Sequence, residues 1–272
     1  MNRLLLSFSF VASSLVLSQA QEGWEVGGWL GASHYFGDLN TNFSLNAPGF
    51  AAGAVFRYNF NNRIALKFSG NYGQVSADDA SSKNIFERSR NLSFQSNIWE
   101  MANQIEFNFM PYTHGSRDEF FTPYLFGGFN VYNFNPKAIY QDELVELRPL
   151  GTEGQFRGEE YYSTQVGLVY GGGIKLSLNS VWSINVEISA RYLMSDYFDD
   201  VSTIYADPDD IANLRGPVAA ALSNRSIPVE GVTQQHGVGD QRGNAFNNDS
   251  YVLAGVSLLY YFGDLKCPKI VR

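Results

Sequence analysis

The stretch Tyr251–Phe262, YVLAGVSLLYYF, decides how the rest of the chain is read. One face carries Val252, Ala254, Val256, Leu258, Tyr260 and Phe262, uncharged and ending in aromatics. The other carries Tyr251, Leu253, Gly255, Ser257, Leu259 and Tyr261, smaller and more mixed. A run of this length is what a tilted strand needs to cross a bilayer. An apolar outer face ending in aromatics suits a barrel strand that meets lipid and then headgroups. A strand of a soluble sandwich has the same look, so the decision rests on whether other runs repeat it.

Seven others do. Trp24 to Tyr35 sets Trp24, Val26, Leu30 and Ala32 against Glu25, Gly27, Gly31 and Ser33. Phe50 to Phe60 alternates most strictly, the signature of a half-buried strand. Asn61-Asn62 then reads as a tight turn. Further strands are expected at Arg63 to about Val75, Ile98 to Phe109 and Thr122 to Phe134. Two more are expected at Tyr161 to Leu176 and Val181 to Met194. Eight is the smallest common strand count of outer-membrane barrels. Connections at 61–62, 110–121 and 177–180 are short, and those at 36–49, 76–97, 135–160 and 195–250 are long. Short inner turns alternating with long outer loops is the outer-membrane pattern, although 110–121 is longer than it prefers. The expected fold is therefore an all-β, eight-stranded antiparallel transmembrane barrel of one domain, residues 21–262.

The faces assigned inward hold Glu25, Arg57, Lys67, Glu100, Gln104, Glu106, Lys175, Glu187 and Arg191. An eight-stranded barrel is just wide enough for its side chains to fill. Buried charges must be paired. A packed ion-pair network with no open pore is expected. Gly171-Gly172-Gly173 falls inside a strand and reads as a close approach or bend, not a phosphate loop.

The first twenty residues carry a short basic start at Arg3, an apolar run from Leu4 to Leu17 and a Ser18-Gln19-Ala20 exit. They read as a secretory signal peptide, residues 1–20. Without Arg3 the net charge goes from −8 to −9, which argues against a nucleic-acid partner. No uncharged apolar run of helical spanning length follows. Residues 263–272, GDLKCPKIVR, form a tail expected on the periplasmic side, with Lys266, Cys267, Lys269 and Arg272. An odd cysteine in an exported chain means a bridge to another protein or a free thiol.

No catalytic constellation, cofactor motif or metal motif is expected. His34, His114 and His236 are scattered, and the neighbours Ser33 and His34 point to opposite faces of a strand. Asp196 to Asp210, DYFDDVSTIYADPDD, holds six acids. Carboxylates at that density suit a hard cation, but the spacing is not that of an EF-hand, and a solvated acidic loop is expected. Ile211–Leu222 reads with helical character. Tyr35-Phe36-Gly37-Asp38-Leu39-Asn40 is echoed by Tyr261-Phe262-Gly263-Asp264-Leu265-Lys266, read as strand-exit chemistry used twice.

WEVGGWLGASHYFGDLN, TPYLFGGFNVYNFNP and SDYFDDVSTIYAD resemble the PorG-like family of outer-membrane barrels of the Bacteroidetes type IX secretion system. The first and third stretches are the more specific. The resemblance implies a non-enzymatic outer-membrane part of a protein-export machine. It also implies as partners the periplasmic ring lipoprotein PorK and PorN, besides outer-membrane lipid, with no small-molecule substrate. The basic tail would be a handle for that ring, with Cys267 as an intermolecular disulfide and Lys266 and Lys269 as contacts. Two other classes stand beside it. One is a surface-binding, adhesin-like barrel acting through its long loops; the other is an outer-membrane lipid deacylase or protease.

Overall fold

The structure is a computed structural model that describes residues 22–42, 44–230 and 236–263. The signal-peptide segment and the tail residues Lys266, Cys267 and Lys269 lie outside the described residues. Eight strands close on themselves: β1 (Gly23–Phe36), β2 (Gly49–Asn59), β3 (Ile64–Asp78), β4 (Ser93–Asn108), β5 (Phe121–Tyr140), β7 (Thr164–Ser177), β8 (Trp182–Leu193) and β9 (Ser250–Phe262). Neighbours run in the order β4-β3-β2-β1-β9-β8-β7-β5, and β4 pairs with β5 to complete the ring. The ninth strand, β6 (Glu143–Glu146), only extends the outer end of β5 as a hairpin. Every pairing in the ring is antiparallel. Closure leaves no edge, so each backbone group in the wall finds a partner without water.

The expected eight-stranded barrel is thus the fold, with three strands longer than the periodicity alone suggests. β3, β4 and β5 run on past Val75, start before Ile98 and continue past Phe134. The outer wall is apolar: Leu30, Trp99, Met101, Ile105, Phe129 and Ile188 are each more than half exposed. At the end bearing the short turns, aromatics join across strands, Trp24 with Phe56 and Tyr58 at 4.5 Å and Trp182 with Tyr260 at 5.0 Å. At the other end Tyr72 meets Trp99 at 4.9 Å. An apolar band between two aromatic girdles is the shape of a bilayer cross-section.

Two of the short turns use one device. Asn61 Oδ1 accepts from the amides of Arg63 and Ile64, both at 2.8 Å. Asn179 Oδ1 does the same for Val181 and Trp182, at 2.9 Å. Such Asx turns replace a backbone turn at the cost of one side chain. The third turn, 109–120, has a reason for its length. It folds inward as a plug, burying Tyr112 and His114 in the barrel end. His114 stacks on Tyr261 at 4.4 Å, and its Nε2 lies 3.1 Å from Glu25 Oε1.

The lumen is filled as the alternation requires. Eight of the nine residues assigned inward are almost wholly buried, and Glu187 is partly so. Glu25 accepts from Arg57 at 2.7 Å and from Asn59 at 2.6 Å. Glu106 accepts from Lys175 at 2.6 Å and Arg57 at 3.1 Å, with Lys67 at 3.5 Å. Lys67 also reaches Glu187 at 2.5 Å, and Arg191 forks onto Glu100 at 2.9 and 3.0 Å. The four carboxylates are met by four cations. Between them remains a cavity of about 30 Å³, room for a water or two. Gly171 and Gly173 provide close approach: a Cβ on either would strike the inward rings of Phe126 or Tyr124.

Glu106→Gln should be the most damaging single change in the lumen. It strips charge from a site where three cations converge, and breaking a buried pair costs about 3–5 kcal/mol. Denaturant unfolding in micelles, read by the gel shift between folded and unfolded forms, measures it. A loss under about 1 kcal/mol would mean that these charges are solvated rather than packed.

Candidate functional site

With both the wall and the lumen occupied by structure, the chemistry not yet accounted for lies at the long-loop end. Four segments converge there. They are 37–42 with 44–48, 79–92 with helix α1 (Ile85–Arg90), 141–163, and 194–230, which carries helices α2 (Pro208–Arg215) and α3 (Pro217–Ser223), with 236–249. The helices α2 and α3 fall where helical character is read from Ile211–Leu222. The helix α1 and the β5–β6 hairpin are not visible in the alternation. The hairpin turns through Gln141 and Asp142, both at positive φ, without the glycine that usually marks such a turn.

These segments pack into a cap over the barrel mouth. Its centre is Phe198, fully buried, with Phe134 at 5.1 Å, Tyr251 at 5.5 Å and Tyr35 at 6.0 Å. Phe198 belongs to the acidic stretch expected to be solvated. That expectation is corrected: Asp196, Asp199 and Asp200 are buried, while Asp207 caps α2 and Asp209 and Asp210 stay exposed. The stretch folds inward because Phe198 and Val201 alternate with its acids and drag them down. Among the described residues, no three acidic, histidine or cysteine side chains converge as metal ligands.

The acids are held in two ways. Asp79 pairs with Arg90 at 2.8 Å, and Glu153 pairs with Arg242 at 2.9 Å. Arg242 also lies 3.9 Å from Asp200, which accepts from Thr152 at 2.6 Å and Tyr161 at 2.8 Å. Asp38, Asp196, Asp199 and Asp249 form no ion pair among the described residues. The Tyr35 hydroxyl sits 2.5 Å from Asp199 Oδ2 and 2.8 Å from Asp249 Oδ1. A phenol has one hydrogen to donate. One of the two carboxyls must therefore carry a proton and donate back to the phenol oxygen. Burial pushes both carboxyls well above the usual range, with the charge of Asp249 adding for Asp199 and that of Asp196 adding for Asp249. Burial also raises Asp196 to about 8, with the charges of Asp38 and Glu153 adding. Asp38 is raised to about 6 by burial, against the pull of Arg90 and Arg242.

Tyr35 and Asp199 come from the two sequence stretches that carry the more specific family resemblance. The Asp199–Tyr35–Asp249 set, a latch between strand β1 and the cap, joins them. The echo of Tyr35-Phe36-Gly37 in Tyr261-Phe262-Gly263 is structural as well. Each tyrosine points inward and curls over the glycine two residues on, where a Cβ would strike the phenol.

The histidines do not assemble a catalytic set. His34 is half-buried on the upper wall, and His114 is in the plug. His236 Nε2 lies 2.8 Å from Ser89 Oγ, a contact that sequence distance hides. That serine is buried and donates its hydrogen to Phe86 O at 2.8 Å, so Nε2 is the donor to it. The proton flow is opposite to that of a histidine activating a nucleophile.

The cap's acids predict its response to pH. Their folded-state affinity for protons exceeds the unfolded one, so the stabilisation is complete below the ordinary aspartate range and lost as pH rises through about 8. Hydrogen exchange of the 194–230 backbone should quicken several-fold between pH 5 and pH 9 beyond the intrinsic base catalysis. Asp196→Asn should flatten that rise. Phe198→Ala should loosen the cap by about 3–5 kcal/mol without opening the strand ladder, seen as proteolysis confined to the loops.

Three solved barrels illustrate the likeness in shape. The N-terminal β-barrel domain of Pseudomonas aeruginosa OprF is 12% identical, with 90% of this chain and 100% of that one aligned and a TM-score of 0.40. OprG from the same organism is 12% identical, with 90% and 98% aligned and a TM-score of 0.43. Neisserial surface protein A is 10% identical, with 88% and 97% aligned and a TM-score of 0.43. No curated protein matches the sequence. A family match covers residues 2–218, most of the chain, and takes in the latch residues Tyr35 and Asp199. The chain belongs to the family described as domain of unknown function DUF6089.

Proposed function

We propose that this barrel is a non-enzymatic anchor in the outer membrane, working through its surfaces and not as a conduit. The observation that carries this is the occupied lumen. A path blocked by four interlocked ion pairs, a plug at one end and a packed cap at the other leaves no route for a solute.

The resemblance to the PorG-like family supports a finer reading, in which the anchor serves the type IX secretion system and holds the periplasmic ring of PorK and PorN. In that reading the short-turn end and the tail with Lys266, Cys267 and Lys269 face the periplasm. The short-turn end offers rigid contact points: Asx turns and a plug already fastened to the barrel. Cys267 then forms a disulfide with a ring protein, as an oxidising periplasm permits.

Non-reducing gels of solubilised outer membranes, compared with Cys267→Ala, test the covalent contact. A reducible high-mass band that the variant lacks, containing PorK or PorN, is the expected result. Purification of the tagged barrel without either ring protein, under gentle solubilisation, would remove the anchor reading. Recovery of a surface ligand on the cap instead would favour the adhesin-like alternative.

A further inference from the structure

The outward wall is not the same all round. On β8 and β9 the outward side chains stay largely apolar toward the cap, ending at Tyr192 and Val252. On β3, β4 and β5 the strands continue beyond the Tyr72–Trp99 girdle and their outward faces turn polar. Register places Gln74 opposite Asn97, Asn97 opposite Asn135 and Gln95 opposite Lys137. The inward faces of the same extension, Val75, Phe94 and Phe134, pack the cap, so this wall is rigid.

The extension is concave. It forms an open hollow of about 490 Å³, floored by the amides, with Phe50 and Trp99 at its base and Leu144 from the β5–β6 hairpin above. That volume is in the range of small-ligand sites. Its charge is close to nil, because Lys137 is paired with Glu146 at 2.9 Å. Asn133 and Asn135 are turned to Thr164 and Glu146. The side-chain amides of Gln95 and Asn97 are exposed and form no hydrogen bond among the described residues. On one strand face they and Trp99 stand in line at about 6.8 Å per step.

We propose that this wall docks the sugar portion of an outer-leaflet glycolipid. Unengaged amides offer both donors and acceptors, which suits neighbouring hydroxyls on a sugar. An exposed indole, 63% accessible, offers a flat apolar face to a sugar ring. The neutral surface is unsuited to a phosphate alone. Position selects the source: the site is continuous with the lipid-facing wall below it, so a ligand whose acyl chains lie on that wall presents its sugars here. The inference rests on outer-membrane placement with the cap outward.

The test uses the full mature chain, wild type and Gln95→Ala/Asn97→Ala, both expressed in an outer membrane and examined by native mass spectrometry in detergent. The probes are lipid A bearing core sugars, lipid A alone, and the free core oligosaccharide. Wild type should retain the sugar-bearing lipid about tenfold more than lipid A alone, and the double variant should lose that preference while its gel shift on heating is unchanged. Equal retention of lipid A with and without sugars would overturn the proposal. So would an unchanged preference in the variant, or free oligosaccharide binding as well as the lipid-linked form. Absence of the protein from the outer-membrane fraction would overturn placement and docking together. Protein present there without sugar preference overturns the docking alone.

Discussion

Glu106 is the residue on which the barrel's interior turns. A carboxylate placed in the middle of a narrow lumen must be neutralised by neighbours whose positions the strand register dictates. Arg57 comes from β2, Lys67 from β3 and Lys175 from β7, so one acid on β4 ties together strands on opposite sides of the ring. The pairing is selective as well as stabilising. A slip of one residue in any of these strands would turn its charge into lipid and strand its partner inside. The apolar wall can tolerate many substitutions of similar size, whereas this centre cannot.

The balance of charge inside the barrel contrasts with the imbalance above it. The lumen neutralises its acids with arginine and lysine, and the cap meets part of its own with protons shared through Tyr35. Both solutions keep carboxyls buried, the first by fixed pairing with cations and the second by protons that are given up as pH rises. The protein therefore has one rigid half and one half whose grip depends on its surroundings.

Strand alternation made the ring, its inward charges and its outward band legible, because period two is imposed by the pleat and the membrane demands one apolar side. It could not show where strands end above the bilayer. Gln74, Gln95 and Asn97 are outward residues that have stopped being apolar, so the alternation fades there although the pairing continues. The acidic stretch misled for a different reason. Composition marks it as solvated, and only the apolar residues between its acids, Phe198 above all, reveal that it is pulled inward. The Tyr35 latch was beyond reach of local reading, since its three members are brought together by closure of the ring. The tail cysteine stays with the expectations, outside the described residues.

The latch also sets an order of events. Tyr35 enters early in the chain, while its partners lie 164 and 214 positions later. Asp249 immediately precedes β9, the strand that closes the ring against β1. The cap can lock only after that last pairing has formed. A locked cap is then a certificate of a finished cylinder.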